Sequence, residues 1–325
     1  MIMKKILHTA KYTGVPLEIL QETCPDGFIV KTLDVATLEQ LIVEAYDADY
    51  FLVSGRLPIN KVVLDNAPRL KMIQRTGVGV EMLDIKEIQK HNIPVYVNAG
   101  INAQSVAELT LTLILSCLKR IPQVNKQTHE GNWKKQQTGV TTRELHGKTV
   151  ALVGMGNIGR LVAQMLSPFG TKVIYTDVLR QSIDIERRLH LTFYDSFEKL
   201  LPLADILSFH CPLTTENTEI LNKKTISLIK ENAIVVNTAR GKLINPCDLY
   251  EALKMGRISA AGLDTHYEEP IKENSQLLEL ENVILTPHIG GVSYESFRAM
   301  ISGAMDNIVA FDNGLFENIS KAKFI

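Results

Sequence analysis

The chain has 325 residues, more than one hydrophobic core usually serves, which points to two domains. Lys and Arg number 35 against 36 for Asp and Glu, so no charge bias exists to recruit nucleic acid or a membrane surface, and a small molecule is the expected ligand. Four cysteines (Cys24, Cys117, Cys211, Cys247) form no CxxC pair; they read as reduced, buried thiols of a cytoplasmic protein, with no disulfide framework and no metal site.

The chain opens on a strand, Lys5-Ile6-Leu7-His8-Thr9, whose apolar run is too short for a signal peptide. Apolar runs near Phe28-Ile29-Val30, Tyr50-Phe51-Leu52-Val53, Met72-Ile73 and Val95-Tyr96-Val97 then alternate with helical patterns over 15–22, 38–46, 60–66 and 85–90. This reads as a small α/β domain with a parallel sheet. In the most apolar segment, Val106, Leu109, Thr110, Leu113, Ile114 and Cys117 repeat at helical spacing, and Leu111, Leu115 and Leu118 make the other face apolar too. Shorter than the ~20 residues of a membrane span and interrupted by Glu108, it is expected to be a helix buried on nearly all sides, joining the domains and contributing to a subunit interface.

The strand Thr149-Val150-Ala151-Leu152-Val153 runs into Gly154-Met155-Gly156-Asn157-Ile158-Gly159, and Asp177 closes the next apolar run, 18 residues after the third glycine. This is a dinucleotide-binding fingerprint in its full context. The first glycine allows a sharp turn, the second a close approach of pyrophosphate, the third tight helix-strand packing, and the helix from Asn157 offers its N-terminus to the phosphates. A carboxylate at Asp177 accepts from the ribose hydroxyls and repels a 2′-phosphate, so the expected cofactor is NAD. Arg180, close behind, could tolerate a 2′-phosphate but is read as a solvated loop arginine.

Further strands over 173–175, 206–210, 234–237, 260–263 and 283–285 complete an expected set of six in the doubly wound arrangement. A last helix from Tyr294 to about Asn313 places Phe297, Met300, Ile301, Ala304, Met305 and Ile308 on one stripe and stops at Gly314. It is expected to return the chain to the first domain. The expected fold is therefore α/β with two Rossmann-like domains. A cofactor domain over 102–291 is inserted into a flavodoxin-like substrate domain made of 1–101 and 292–325.

Polar residues break the apolar pattern at strand ends, where this architecture keeps its sites: His210-Cys211-Pro212, Thr238-Ala239-Arg240-Gly241, Gly262-Leu263-Asp264 with Glu268-Glu269-Pro270, and Thr286-Pro287-His288-Ile289-Gly290. Together with Arg75-Thr76-Gly77-Val78-Gly79, Ser105-Val106-Ala107-Glu108, Gly131-Asn132-Trp133 and Glu144-Leu145-His146-Gly147, they resemble the D-isomer-specific 2-hydroxyacid dehydrogenases over nearly the whole chain.

The resemblance implies an NAD-dependent oxidoreductase moving a hydride between nicotinamide and a D-2-hydroxy acid or its 2-keto partner, with phosphoglycerate, glyoxylate and hydroxypyruvate as candidates. It implies Arg240 as carboxylate and carbonyl anchor, His288 as proton donor, and Glu269 holding one imidazole nitrogen and raising its pKa. Val78 and Gly79 would bind the substrate carboxylate from the other domain, making domain closure part of catalysis. Gly154, Gly156, Asn157, Ile158 and Gly159 fall to the pyrophosphate, Asp177 to the ribose, and Cys211 and Thr238 to the adenosine and nicotinamide sides. Asp264 falls to the carboxamide, with His210, Pro212, Ala239 and Gly290 beside the cofactor. A homodimer is also implied.

Alternative readings attach to several residues. His210 and His266 are assigned to loop packing, Glu268 to solvent, Trp133 to a structural role, and Cys211 to a small residue beside the cofactor. Ser54-Gly55-Arg56 departs from the pattern of phosphoglycerate dehydrogenases, which leaves open whether Arg56 or Arg75 reaches a substrate phosphate. No C-terminal serine-binding domain follows Ile325. The rivals from other classes are an NADH-sensing corepressor-like binding protein, for which the chain shows no peptide-docking extension, and a formate dehydrogenase, which has glutamine where Glu269 stands.

Overall fold

The computed structural model describes residues 3–55 and 57–325; Arg56, one of the two phosphate-contact candidates, lies outside the described residues. The chain divides into two compact units, Met1–Asn102 with Ser293–Ile325, and Ala103–Val292, so the second interrupts the sequence of the first.

The first unit alternates β1 (Lys4–His8), α1 (Val15–Glu22), β2 (Phe28–Thr32), α2 (Leu38–Ala45), β3 (Tyr50–Val53), α3 (Lys61–Asp65), β4 (Met72–Arg75), α4 (Ile85–Lys90) and β5 (Val95–Tyr96). Its five strands pair in parallel in the order β2-β1-β3-β4-β5, the flavodoxin-like arrangement. The apolar runs are continuous because both faces are covered. Leu7, Phe51, Val53 and Ile73 belong to one core, and Ile6, Tyr50, Leu52 and Met72 to the other.

The second unit begins with α5 (Ala103–Lys119), α6 (Ile121–His129) and α7 (Lys135–Thr141). It continues through β6 (Thr149–Val153), α8 (Asn157–Leu166), β7 (Lys172–Thr176), α9 (Ile183–Leu189), β8 (Leu191–Phe193), α10 (Phe197–Leu200), β9 (Ile206–Phe209), α11 (Lys223–Ile226), β10 (Ala233–Asn237), α12 (Pro246–Lys254), β11 (Ile258–Leu263) and β12 (Val283–Leu285). The strands order as β12-β11-β10-β9-β6-β7-β8, the doubly wound pattern that reverses direction at β6 and β9. The sheet has seven strands where six were expected. The extra one, Leu191–Phe193, is a three-residue edge paired only with β7, too short to give a periodic signal. Val150, Leu152, Tyr175, Ile234 and Val236 pack in one core with Ala107, Leu113 and Ile114 of α5; Ala151, Val153, Leu207, Phe209 and Val235 point to the other.

Helix α5 is less completely covered than its composition suggests: Glu108 and Thr112 are exposed, and Leu111 and Leu115 are half-buried. Within the second unit Trp133 is 82 % exposed. Of the cysteines only Cys117 is buried and Cys247 is exposed, which corrects the expectation of four buried thiols.

The last helix, α13 (Tyr294–Asp312), belongs to the first unit. It starts on a capping box between Ser293 and Ser296, buries Ile301, Ala304, Met305 and Ile308, and ends before Gly314 at φ 72°.

Candidate active site

In the second unit the residues singled out from sequence gather at the carboxyl ends of β6, β7, β9, β10, β11 and β12. The glycine turn sets the first boundary. Gly154 has φ +100°, and a Cβ there would stand 2.7 Å from the backbone of His210 and Cys211, so the turn after β6 lies directly on the chain leaving β9. Gly156 is different: no protein atom lies within 4 Å of where its Cβ would be. It is the N-cap of α8 and gives the helix no side-chain acceptor, so the first-turn N–H groups open onto a space the protein leaves unfilled. Asp177 closes the cradle at its far side, its Oδ2 accepting from Met155 N at 2.6 Å and its Oδ1 from Leu179 N at 3.1 Å. An unfilled cradle, a helix N-terminus and a carboxylate anchored beside them fit the pyrophosphate and adenosine ribose of a dinucleotide.

Arg180 is a solvent-exposed loop arginine, as expected, and is also paired. Its guanidinium binds Glu186 through two bonds of 2.9 and 2.8 Å.

Arg240 follows β10 on a turn built by Asn237. This fully buried side chain accepts from Ala239 N at 3.0 Å and donates to Arg240 O at 2.9 Å. Thr238, 7 % exposed, shares a hydroxyl bond of 2.8 Å with Thr110 of α5. Gly241 has room for nothing more than hydrogen: a Cβ would meet His266 C and O at 2.0 Å. The backbone of the segment carrying Glu269 therefore packs directly against the Arg240 turn.

Glu269 is fixed at both oxygens. Oε1 accepts from His266 N at 3.0 Å, and Oε2 lies 2.8 Å from His288 Nδ1. A carboxylate can only accept, so Nδ1 carries a proton and Nε2 is the nitrogen left for chemistry. The Glu269 hydrogen bond is the main cause of a raised His288 pKa; burial and the Arg240 guanidinium oppose it, and the charges of Glu269 and Asp264 add to it. Arg240, Glu269 and His288 thus share one electrostatic neighbourhood. Glu268 pairs with Lys272 at 2.6 Å and stays largely in solvent.

His288 has φ 58°, a left-handed conformation costly for a residue with a Cβ. The loop is over-determined by Asp264, which is 1 % exposed. Asp264 O accepts from His288 N at 2.9 Å, Oδ1 from Thr286 Oγ1 at 2.6 Å and Ile289 N at 2.8 Å, and Oδ2 from Gly290 N at 2.8 Å. Ser105 Oγ donates to Gly290 O from α5 at 2.8 Å. The carboxylate expected at the carboxamide is thus tied into the loop that carries His288, a role the sequence did not suggest.

Two further histidines take loop positions. His266 Nε2 donates to Thr286 O at 2.8 Å. His210 Nε2 lies 2.9 Å from Ser208 Oγ, and burial pushes its pKa down to about 3, so it stays neutral. Burial holds the Cys211 thiol up at about 11, unsuited to nucleophilic attack near neutrality.

In the first unit, Val78 and Gly79 lie in the loop after β4, with Val78 46 % exposed. Arg75 shapes that loop: Nε donates to Gly79 O at 2.6 Å and Nη1 to Val53 O at 3.2 Å. Both of these bonds run to backbone carbonyls of the same unit.

Residues 111–290 match the NAD-binding domain of the D-isomer specific 2-hydroxyacid dehydrogenases. The chain belongs to this family. It is 36 % identical over 277 residues to a glyoxylate reductase of Thermococcus litoralis, covering 84 % of this chain and 82 % of that one. A D-3-phosphoglycerate dehydrogenase of Methanocaldococcus jannaschii is 37 % identical over 301 residues, 91 % of this chain and 55 % of the relative. The structure of a D-lactate dehydrogenase from Aquifex aeolicus, complexed with NAD and lactic acid, superposes with TM-score 0.84 at 28 % identity over 99 % of both chains. As a D-2-hydroxyacid dehydrogenase of this family the protein is an NAD-dependent oxidoreductase, and NAD is the cofactor of the second unit.

Proposed function

We propose that the enzyme interconverts a small 2-oxo acid and its D-2-hydroxy acid, with glyoxylate and hydroxypyruvate ahead of the phosphorylated acid. The observation that carries this reading is the 2.8 Å bond between Glu269 and His288 within the field of Arg240. Arg240 holds the substrate carboxylate and polarises the adjacent carbonyl. His288, kept protonated by Glu269, gives the Nε2 proton to the oxygen that becomes the hydroxyl; in the reverse direction its neutral form takes that proton back. The bound nicotinamide supplies or accepts the hydride. Val78 and Gly79 offer backbone N–H groups to the carboxylate. Asn157 and Ile158 hold the pyrophosphate and Asp177 the ribose, with Gly154, Gly156 and Gly159 shaping the turn; His210, Cys211, Pro212, Thr238, Ala239, Asp264 and Gly290 line the rest of the dinucleotide site. The backbone bonds of Arg75 favour a loop-shaping role for it over a phosphate contact.

The test is NADH oxidation with glyoxylate, hydroxypyruvate and 3-phosphohydroxypyruvate, beside formate with NAD+. His288→Ala is expected to lose ~10² to 10⁴ in rate. No turnover of any 2-oxo acid, with His288→Ala equal to wild type, removes the reading. Capture of peptides dependent on NADH without turnover would move it to a corepressor-like protein, and formate oxidation to a formate dehydrogenase.

We also infer a cytoplasmic homodimer. The free cysteines support the compartment. Apolar side chains of the second unit left in water support the dimer: Trp133 at 82 %, Val140 at 75 % and Ile121 at 50 % exposed. Sedimentation should give a dimer that Trp133→Asp weakens; a wild-type monomer at all concentrations refutes it.

A further inference from the structure

We infer that Glu186 is a specificity-determining residue for the cofactor: by clasping Arg180 it disarms a 2′-phosphate site built into the same turn as Asp177. The inference rests on the dinucleotide site of the second unit and reaches beyond the substrate proposed above. The turn after β7 carries two opposed signals, a carboxylate that suits ribose hydroxyls and, three residues on, an arginine of the type that suits a 2′-phosphate. Sequence favours the carboxylate without saying what keeps the arginine from a 2′-phosphate.

The geometry decides against the arginine. Arg180 Nε and Nη2 donate to Glu186 Oε1 and Oε2 at 2.9 and 2.8 Å, the bidentate fork in which guanidinium binds carboxylate most specifically. The guanidinium also lies over the ring of Phe193, 5.4 Å from its centroid. Glu186, in the first turn of α9, is itself oriented by Tyr175 Oη, which donates to Oε1 at 2.7 Å. Gln181 N donates to the same Tyr175 Oη at 2.9 Å, fixing the path of the turn. Arg160 of α8 donates to Asn157 Oδ1 at 3.0 Å and to Gln181 Oε1 at 3.4 Å. Glu186 and Phe193 thus hold Arg180 with its fork toward α9 and paired with a carboxylate. The pairs also hold the Glu186 carboxyl down at about 2, so the clasp persists across working pH.

Removing the carboxylate while keeping the side chain's shape should release Arg180 toward a 2′-phosphate. The test measures dissociation constants of NAD+ and NADP+ by calorimetry for wild type, Glu186→Gln, Arg180→Ala and the double variant, with melting curves confirming that each is folded. Glu186→Gln is expected to tighten NADP+ about tenfold relative to NAD+, the size of one charge-assisted contact. Arg180→Ala should leave NAD+ binding near wild type, and the double variant should lose the gain. A folded Glu186→Gln protein with an unchanged NADP+ to NAD+ ratio overturns the inference, as does a gain that survives in the double variant. A merely structural tether would lower melting temperature without moving that ratio. Should Glu186→Gln not fold, Glu186→Met, which keeps the length and drops the charge, repeats the measurement with the same two outcomes.

Discussion

Gly154 and Gly156 stand two residues apart in one motif, yet an added methyl should act on different properties at each. At Gly156 the backbone is extended, φ −74° and ψ −154°, and the methyl meets no protein atom within 4 Å. Folding should tolerate Gly156→Ala, with a stability change within about 1 kcal/mol, because the substitution also restricts the unfolded chain. The same methyl fills the cradle at the N-terminus of α8. Displacing a pyrophosphate from even one charge-assisted N–H bond costs about 1.5–3 kcal/mol, or roughly 10- to 150-fold in the dissociation constant for NAD+. Gly154→Ala reverses the balance: φ +100° and contacts of 2.7 Å to the His210 and Cys211 backbone leave the methyl no room. The left-handed strain alone costs about 1–2 kcal/mol, and movement of the chain after β9 adds to it. Urea denaturation and calorimetric titration with NAD+ on both variants separate the two effects. Wild-type affinity in Gly156→Ala, or its unfolding, would refute the assignment of that space to the cofactor.

Glu269→Gln removes the principal cause of the raised His288 pKa, so that pKa should fall. Reduction, which needs imidazolium, is lost as pH rises through this pKa, and oxidation, which needs the neutral ring, is lost as pH falls through it; both limbs should move to lower pH in the variant, and pH profiles of kcat/KM that do not move would exclude Glu269 as the positioning partner. Asp264→Ala takes the acceptor from Ile289 N and Gly290 N, the latter buried, and at ~1–3 kcal/mol for each orphaned group should destabilise the protein by about 2–4 kcal/mol. Since His288 keeps its bond to Glu269 but loses the support of its left-handed backbone, kcat should fall more than NAD+ affinity does; loss confined to affinity would place Asp264 at the cofactor rather than beneath the loop.

The readings that held came from strong local rules. Strand interiors covered on both faces had to be continuous apolar runs, and Ile6, Leu7, Phe51 and Leu52 sit at zero exposure accordingly. The glycine fingerprint specified a strand, a turn and a helix start together, each checkable against the others. The misses have a common physical form: they depend on what lies opposite a residue in space. Cys247 is small and apolar, but nothing in its neighbourhood along the chain says that its own unit leaves it exposed. Arg180 is in solvent as expected, and only the placement of Glu186 and Phe193 across from it adds the ion pair. The strand at Leu191–Phe193 exists because β7 has a free edge to pair with, and three residues carry too little periodicity to announce that.

Asp264 shows why a correct motif can still conceal a mechanism. An acid at the end of a strand beside a cofactor site suggests a contact to the cofactor, and sequence offers no reason to prefer a neighbouring loop. The structure supplies that reason through His288, whose left-handed backbone would relax if it were not held. One buried carboxylate and one backbone carbonyl on the same residue accept from four groups between Thr286 and Gly290, which holds the loop where His288 Nδ1 meets Glu269 at 2.8 Å. In the proposed mechanism the His288–Glu269 pair is therefore supported by a second carboxylate, Asp264, which directly follows the core strand β11 and is placed by it rather than by the loop it organises.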